Sequence, residues 1–224
     1  MTCVIHSNSH LFRFWERCGA SHIHPDDKPF FDHDAQHGQK LARDFVTDAY
    51  GPWPFDGPLE TAKVVVCYAN PLYSPADRAH KNLIAKQRTG TEPLPQPWYP
   101  YYRPRIGVAL GAEMTDLCEV VSLFNVCPYP SVTMADRAIR FASGLPSVWA
   151  AQKHLREVLI PKARAQEIFL VIARKHQLWG AVDGFESPNI AFSRNIGGHL
   201  GQELGKQIRK WLEGGHLVAL QWQA

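Results

Sequence analysis

The chain of 224 residues contains no CxxC pair, no apolar run near bilayer-spanning length, no internal repeat and no low-complexity tract. Each absence removes a class. Without CxxC, neither a zinc ribbon nor a compact iron–sulfur site has support. A membrane helix needs about 20 consecutive apolar residues, so no membrane partner is expected. The first residues lack the charged-then-apolar pattern of a secretory signal, which makes a cytoplasmic setting the expectation. No GxSxG elbow surrounds Ser131, so a serine hydrolase is unsupported. No convincing linker divides the chain, and its length suits a single core. One domain over 1–224 is therefore expected, with residues 1–50 as an N-terminal extension packed on it.

What is present is a folding composition: 45% hydrophobic and 20% charged residues. The five cysteines are odd in number and irregularly spaced, which reads as reduced thiols. Net charge is only +3, yet its distribution is uneven. Residues 26–60 carry eight acidic and three basic side chains, and residues 137–175 carry eight basic and two acidic ones. A basic region of that size suits phosphate contacts, or else a set of solvated helix faces.

Residues 64–68 (VVVCY) form a β-branched run that reads as a fully buried strand. It stops at Ala69-Asn70-Pro71, because proline cannot donate to a ladder. A second strand is predicted over 120–126, ending on Asn125 ahead of Pro128 and Pro130. A third spans 168–173 and leads into Arg174-Lys175-His176, and a fourth, 189–193, leads into Arg194-Asn195. Helices are predicted over 36–50, with Leu41, Phe45 and Val46 on one face, and over 76–87. Another is expected over 148–159 behind Ser147 as N-cap, and a last one over 199–212. Residues 51–58 read as irregular, and 217–222 as an edge strand. Five prolines within 91–105 argue against any regular element there and favour an aromatic lid or binding loop. Strands alternating with helix-length segments predict an α/β fold, a three-layer α/β/α sandwich with a mainly parallel central sheet.

In such a sheet, ligands bind at the carboxyl ends of the strands. Asn70, Asn125 and Arg194/Asn195 all fall there. Side-chain amides offer donors and an acceptor suited to the edge of a flat heterocycle. The sequence at these strand ends resembles the uracil-DNA glycosylase superfamily. Tyr68-Ala69-Asn70-Pro71-Leu72-Tyr73 is similar to its catalytic motif, G-Q-D-P-Y-H or G-I-N-P-G. Ser122-Leu123-Phe124-Asn125 is similar to its base-reading L-L-L-N. The strand before Trp179-Gly180 matches a third motif, and Asn195-Ile196-Gly197-Gly198 loosely matches H-P-S-P or N-P-S-G. Pro54-Phe55-Asp56-Gly57, Pro128-Tyr129-Pro130-Ser131 and Leu145-Pro146-Ser147 bring the chain closest to an uncharacterised bacterial branch. The likeness covers roughly 55–212. Tyr68 and Ala69 replace the motif's usual glycine approach, and Leu72 replaces a small residue.

The resemblance implies excision of a damaged or deaminated base from DNA by hydrolysis of its N-glycosidic bond. It implies catalytic roles for Asn70 and Asn195, with Asn70 positioning water. An amide orients water without deprotonating it, so turnover would be slow. Asn125, Tyr73 and Tyr68 would bind the base, with aromatics of 98–102 as further stacking candidates. Arg194, His199 and Lys175 would face DNA. No cofactor and no metal is expected. Plainer readings stand beside these: Asn125 as a turn residue, and the aromatic segment as packing under prolines. Two other functions compete, a non-catalytic nucleic-acid or nucleobase-binding protein on the same fold and a metal-dependent hydrolase. The last rests on six of eleven histidines lying in the first 37 residues, His22, His24 and His33-Asp34 among them.

Overall fold

Apolar β-branched runs form the centre of a five-stranded sheet in the computed structural model, which describes residues 9–173, 175–181, 187–193 and 195–216. The strands are β1 (Phe55–Asp56), β2 (Val64–Tyr68), β3 (Val121–Asn125), β4 (Phe169–Ile172) and β5 (Ile190–Phe192). Their order is β1-β3-β2-β4-β5. β2 pairs in parallel with both β3 and β4, and β4 pairs in parallel with β5. Only β1 runs antiparallel, against β3. The fold is thus mixed α/β around a mostly parallel sheet, and no helix among the described residues is long and apolar enough to cross a membrane.

Alternation along each strand feeds two separate cores. Val64, Val66, Val121, Leu123, Phe169 and Val171 enter one, and Val65, Cys67, Phe124, Leu170 and Ile172 the other. Different connections cover them. Between β2 and β3 run the helices Lys81–Gln87, Tyr99–Tyr102, Val108–Leu110 and Met114–Leu117. Their Ile84, Tyr102, Leu110 and Leu117 join the first core, together with Ile208 of a C-terminal helix, Gln202–Trp211. Between β3 and β4 run Asp136–Ser143, Pro146–His154 and Ile160–Arg164, whose Phe141, Val148 and Ile160 join the second core. Leu11 and Trp15 of the N-terminal helix His10–Glu16 join it as well. The chain therefore leaves β2 and β3 toward opposite faces, which opens a crevice between their carboxyl ends.

Three expectations are corrected. The helix expected over 36–50 lies earlier, at Lys28–Gln36. It stops because Gly38 and Lys40 take left-handed backbone angles and the buried Asp34 carboxylate accepts from the amides of Leu41 and Ala42, at 2.9 and 3.1 Å. Phe45 instead bridges to Ser131. The proline-rich 91–105 segment is largely helical from Gln96 onward. Pro97, Pro100 and Pro104 each fall in the first positions of a new short turn, where a missing N–H costs little. Residues 51–58, expected to be irregular, contain β1. Gly57 permits it: at φ +84°, a Cβ there would lie 2.5 Å from the Val121 carbonyl oxygen.

Smaller adjustments follow the same physics. Ser147 is not an N-cap; Leu145 holds that position, and the Ser147 amide donates to Asp27 Oδ1 at 3.0 Å. The 76–87 helix opens as a 3₁₀ turn, Pro75–His80, before becoming α-helical. The edge strand expected over 217–222 lies outside the described residues.

Candidate functional site

The parallel ladder between β2 and β3 continues beyond the strands. Tyr68 and Asn125 are register partners, the Val126 amide donates to Tyr68 O at 3.0 Å, and the Cys127 amide donates to Ala69 O at 2.9 Å. This clamps the backbone on both sides of the crevice. Asn70 then turns its amino group into the neighbouring loop: Nδ2 donates to Ser131 Oγ at 2.8 Å and lies 3.1 Å from Pro71 O and 3.3 Å from Tyr129 O. Asn125 Nδ2 donates to Trp53 O at 3.1 Å.

A cavity of about 520 Å³ opens at these strand ends, within the range of small-molecule sites. Tyr68, Asn70, Asn125 and Lys175 line it, together with Trp53, Trp98, Tyr101 and Tyr102. The Trp53 and Trp98 rings meet at 4.6 Å. Each is held by a carboxylate. Trp53 Nε1 donates to Asp56 Oδ1 at 2.7 Å, and Trp98 Nε1 donates to Asp77 Oδ1 at 2.8 Å. The Tyr102 hydroxyl donates to the other Asp56 oxygen.

Burial raises the pKa of both acids. Loss of water pushes Asp56 up to about 7, against the opposing pull of its Tyr102 and Trp53 hydrogen bonds. Asp77 is raised by the same desolvation, opposed by Trp98. Two cations, Arg105 and Lys175, also border the cavity. The Arg105 guanidinium lies 3.6 Å from the Tyr101 ring centroid and donates to Tyr101 O at 2.9 Å.

The other residues singled out from sequence lie elsewhere. Tyr73 stacks on Tyr50 at 6.4 Å rather than facing the cavity. His199 Nδ1 is 2.9 Å from Pro104 O, Asn195 is exposed, and neither lines the cavity. Gly197, between them, does. Arg194 lies outside the described residues. Leu72, which stands where the motif has a small residue, is 48% exposed and lines the cavity together with Val132.

Sequence reasoning missed Asp56, Asp77, Trp53 and Arg105. Asp56 sits inside a recognised motif but read as part of an irregular approach. Asp77 follows Pro75 at a helix start, where acids are common for dipole reasons alone.

In the histidine-rich N-terminal region, His24 is buried and packed, while His10, His22, His33 and His37 are exposed. His24 stacks on Phe14 at 3.8 Å, its Nε2 lies 2.8 Å from Phe14 O, and its Nδ1 accepts the Asp26 amide at 3.1 Å. His33 stacks on His37 at 4.0 Å. Among the described residues, no three or more His, Cys, Asp or Glu side chains gather as a metal site would require.

No family model, no curated protein and no solved structure matches the chain.

Proposed function

We propose that the protein is a nucleobase-handling protein of the uracil-DNA glycosylase type, built as a three-layer α/β/α sandwich and acting on DNA in the cytoplasm. The observation that carries this reading is the cavity itself. Two strand-end asparagines, Asn70 and Asn125, share one concave site with the aromatic walls Trp53, Trp98 and Tyr102. Flat aromatic walls suit a base that has left its stack, and amides suit its polar edge. Arg105 and Lys175 at the same cavity suit the flanking phosphates.

In the reaction, the base swings out of the helix into the cavity. The bond between C1′ and the base nitrogen breaks, and its electron pair leaves with the base. Water adds its hydroxyl to C1′, and its remaining proton ends on the departing base. Asn70 Oδ1 accepts no hydrogen bond among the described residues, so it is available to orient that water.

A second reading, binding without cleavage, draws on the same residue. The Asn70 amino group is fully engaged by Ser131, Pro71 and Tyr129, an arrangement that also serves loop structure alone.

DNA engagement is tested by fluorescence anisotropy with a labelled duplex carrying a stable abasic analogue. Lys175→Ala is expected to weaken binding several-fold and to lower the slope of log affinity against log salt by about one. No binding at low salt, or a variant indistinguishable from wild type, contradicts the DNA reading.

A further inference from the structure

Two cations reach this cavity without an anion to pair with. Arg105 and Lys175 both line it, and neither forms an ion pair among the described residues. The cavity's own acids are engaged by other donors: Asp56 accepts from Trp53 and Tyr102, and Asp77 accepts from Trp98. The Ser74, Ser131 and Thr133 hydroxyls also line the cavity and can donate to phosphate oxygens.

Both cations are held in place by the fold. The Arg105 guanidinium lies 3.6 Å from the Tyr101 ring centroid, its Nη1 donates to Tyr101 O at 2.9 Å, and the Arg105 carbonyl accepts the Leu200 amide at 3.0 Å. Its Nε is buried with no partner, and its Nη2 makes no hydrogen bond among the described residues. The head group is thus partly stripped of water and still has N–H groups to offer, which favours an anion beside it. Lys175 follows β4, the strand next to β2, in a left-handed conformation at φ 51° and ψ 52°. The Leu178 amide donates to Lys175 O at 2.8 Å and locks that turn. Glycine would take these angles without strain, so the chain carries strain where it keeps a long cationic side chain at the cavity.

We infer that this cavity takes a whole nucleotide bearing a phosphate monoester, with Arg105 and Lys175 gripping the phosphate while the base lies toward Asn70 and Asn125. The placement of the base rests on reading the cavity as a nucleobase site; the phosphate half rests on the two cations. A phosphate monoester carries about −1.5 to −2 charges at pH 7 and so balances two cations, whereas a phosphate inside a DNA strand carries a single charge. The volume, about 520 Å³, suits a site that encloses a whole small molecule rather than a bare ring. A free nucleoside 5′-monophosphate and the phosphorylated end of a strand present the same chemistry.

The test is isothermal titration calorimetry of the full chain with inorganic phosphate, the four common nucleoside 5′-monophosphates, the matching nucleosides, and a short oligonucleotide with and without a 5′-phosphate. Wild type is expected to bind at least one monophosphate about tenfold or more tightly than its nucleoside, and Arg105→Gln and Lys175→Gly are each expected to erase most of that gain. Lys175→Gly relieves the left-handed strain, so its Tm is expected to be no lower than that of wild type, and it carries the comparison if Arg105→Gln fails to fold. Tighter binding of the 5′-phosphorylated oligonucleotide than of any free monophosphate assigns the monoester to a strand end; the reverse order assigns it to a free nucleotide. Nucleosides binding as tightly as their monophosphates, with no loss in either variant, overturn the phosphate inference and leave the base site standing. Inorganic phosphate binding as tightly as every monophosphate, with no nucleoside bound, overturns the nucleotide and the base-site reading and leaves an anion site. Failure of every ligand to bind folded wild type overturns both halves.

Discussion

Asp56 is a buried acid in the cavity wall. Its carboxyl is fully buried, both oxygens accept hydrogen bonds, and no cation among the described residues pairs with it, so desolvation raises it to about 7 from its usual value near 3.8. A raised acid favours the protonated folded state. Its stabilising contribution is complete below about pH 4 and is lost as pH rises through about 7. The buried histidines act in the opposite sense. His154 is lowered to about 4 by burial, so its contribution is present above its ordinary value and is lost as pH falls toward 4. Asp56→Asn isolates the acid's share. Between pH 5 and 8, wild type is expected to lose stability relative to this variant by a few kcal/mol, seen as several °C in Tm. Parallel Tm curves for the two proteins would contradict the assignment. The sequence displayed Asp56 in a recognisable Pro-Phe-Asp-Gly segment, yet nothing local announces that Trp53 and Tyr102 converge on it; Tyr102 arrives from 46 residues away. Asn70 and Asn125 were legible for the opposite reason. Each ends a β-branched or apolar run, and proline follows closely.

At the scale of elements, the four parallel strands were legible, while β1 and several helices were not. Two-sided burial writes a continuous apolar run, and its short length, β-branched residues and following prolines decide for a strand over a buried helix. Amphipathic helices in the first 50 residues gave a weaker signal. The Leu41, Phe45 and Val46 spacing suggested a helix, but Asp34 reaches ahead to cap the Leu41 and Ala42 amides and turns the chain away. The same region docks through another buried carboxylate. Asp27 Oδ2 accepts the Tyr129 hydroxyl at 2.6 Å, Asp27 Oδ1 accepts the Ser147 amide at 3.0 Å, and Tyr129 Oη accepts the His24 amide at 3.1 Å. Three distant elements meet there, and Tyr129 O also lies 3.3 Å from the Asn70 amino group. Asp27→Ala leaves two buried donors unpaired and is expected to cost roughly 2–5 kcal/mol in chemical denaturation. A loss below about 0.5 kcal/mol would show that the N-terminal segment is not tied to the core through this carboxylate.

For the whole molecule, the α/β class followed from the alternation of strands and helix-length segments, but strand order did not. That β2 lies between β3 and β4 depends on which face each connection covers, and those faces are chosen by packing hundreds of atoms, not by any local motif. The order puts Asn70, just beyond β2, and Asn125, at the end of β3, at neighbouring strand ends beside the crevice. The basic stretch of 137–175 is a whole-molecule feature too, and its only described member at the cavity is Lys175. The aromatic segment of 91–105 was misread as irregular, because prolines that break one helix also begin the next. The central claim, that this cavity receives a base from DNA and releases it, is tested most directly by single-turnover base excision. Oligonucleotides carrying alkylated adenine, an A·C mispair, uracil or hypoxanthine would be followed by alkali-labile strand scission, with Asn70→Ala beside wild type. The account predicts slow scission by wild type and a fall of at least about tenfold in Asn70→Ala. Equal scission by the two proteins, or none by a large excess of folded wild type on every substrate, would contradict it.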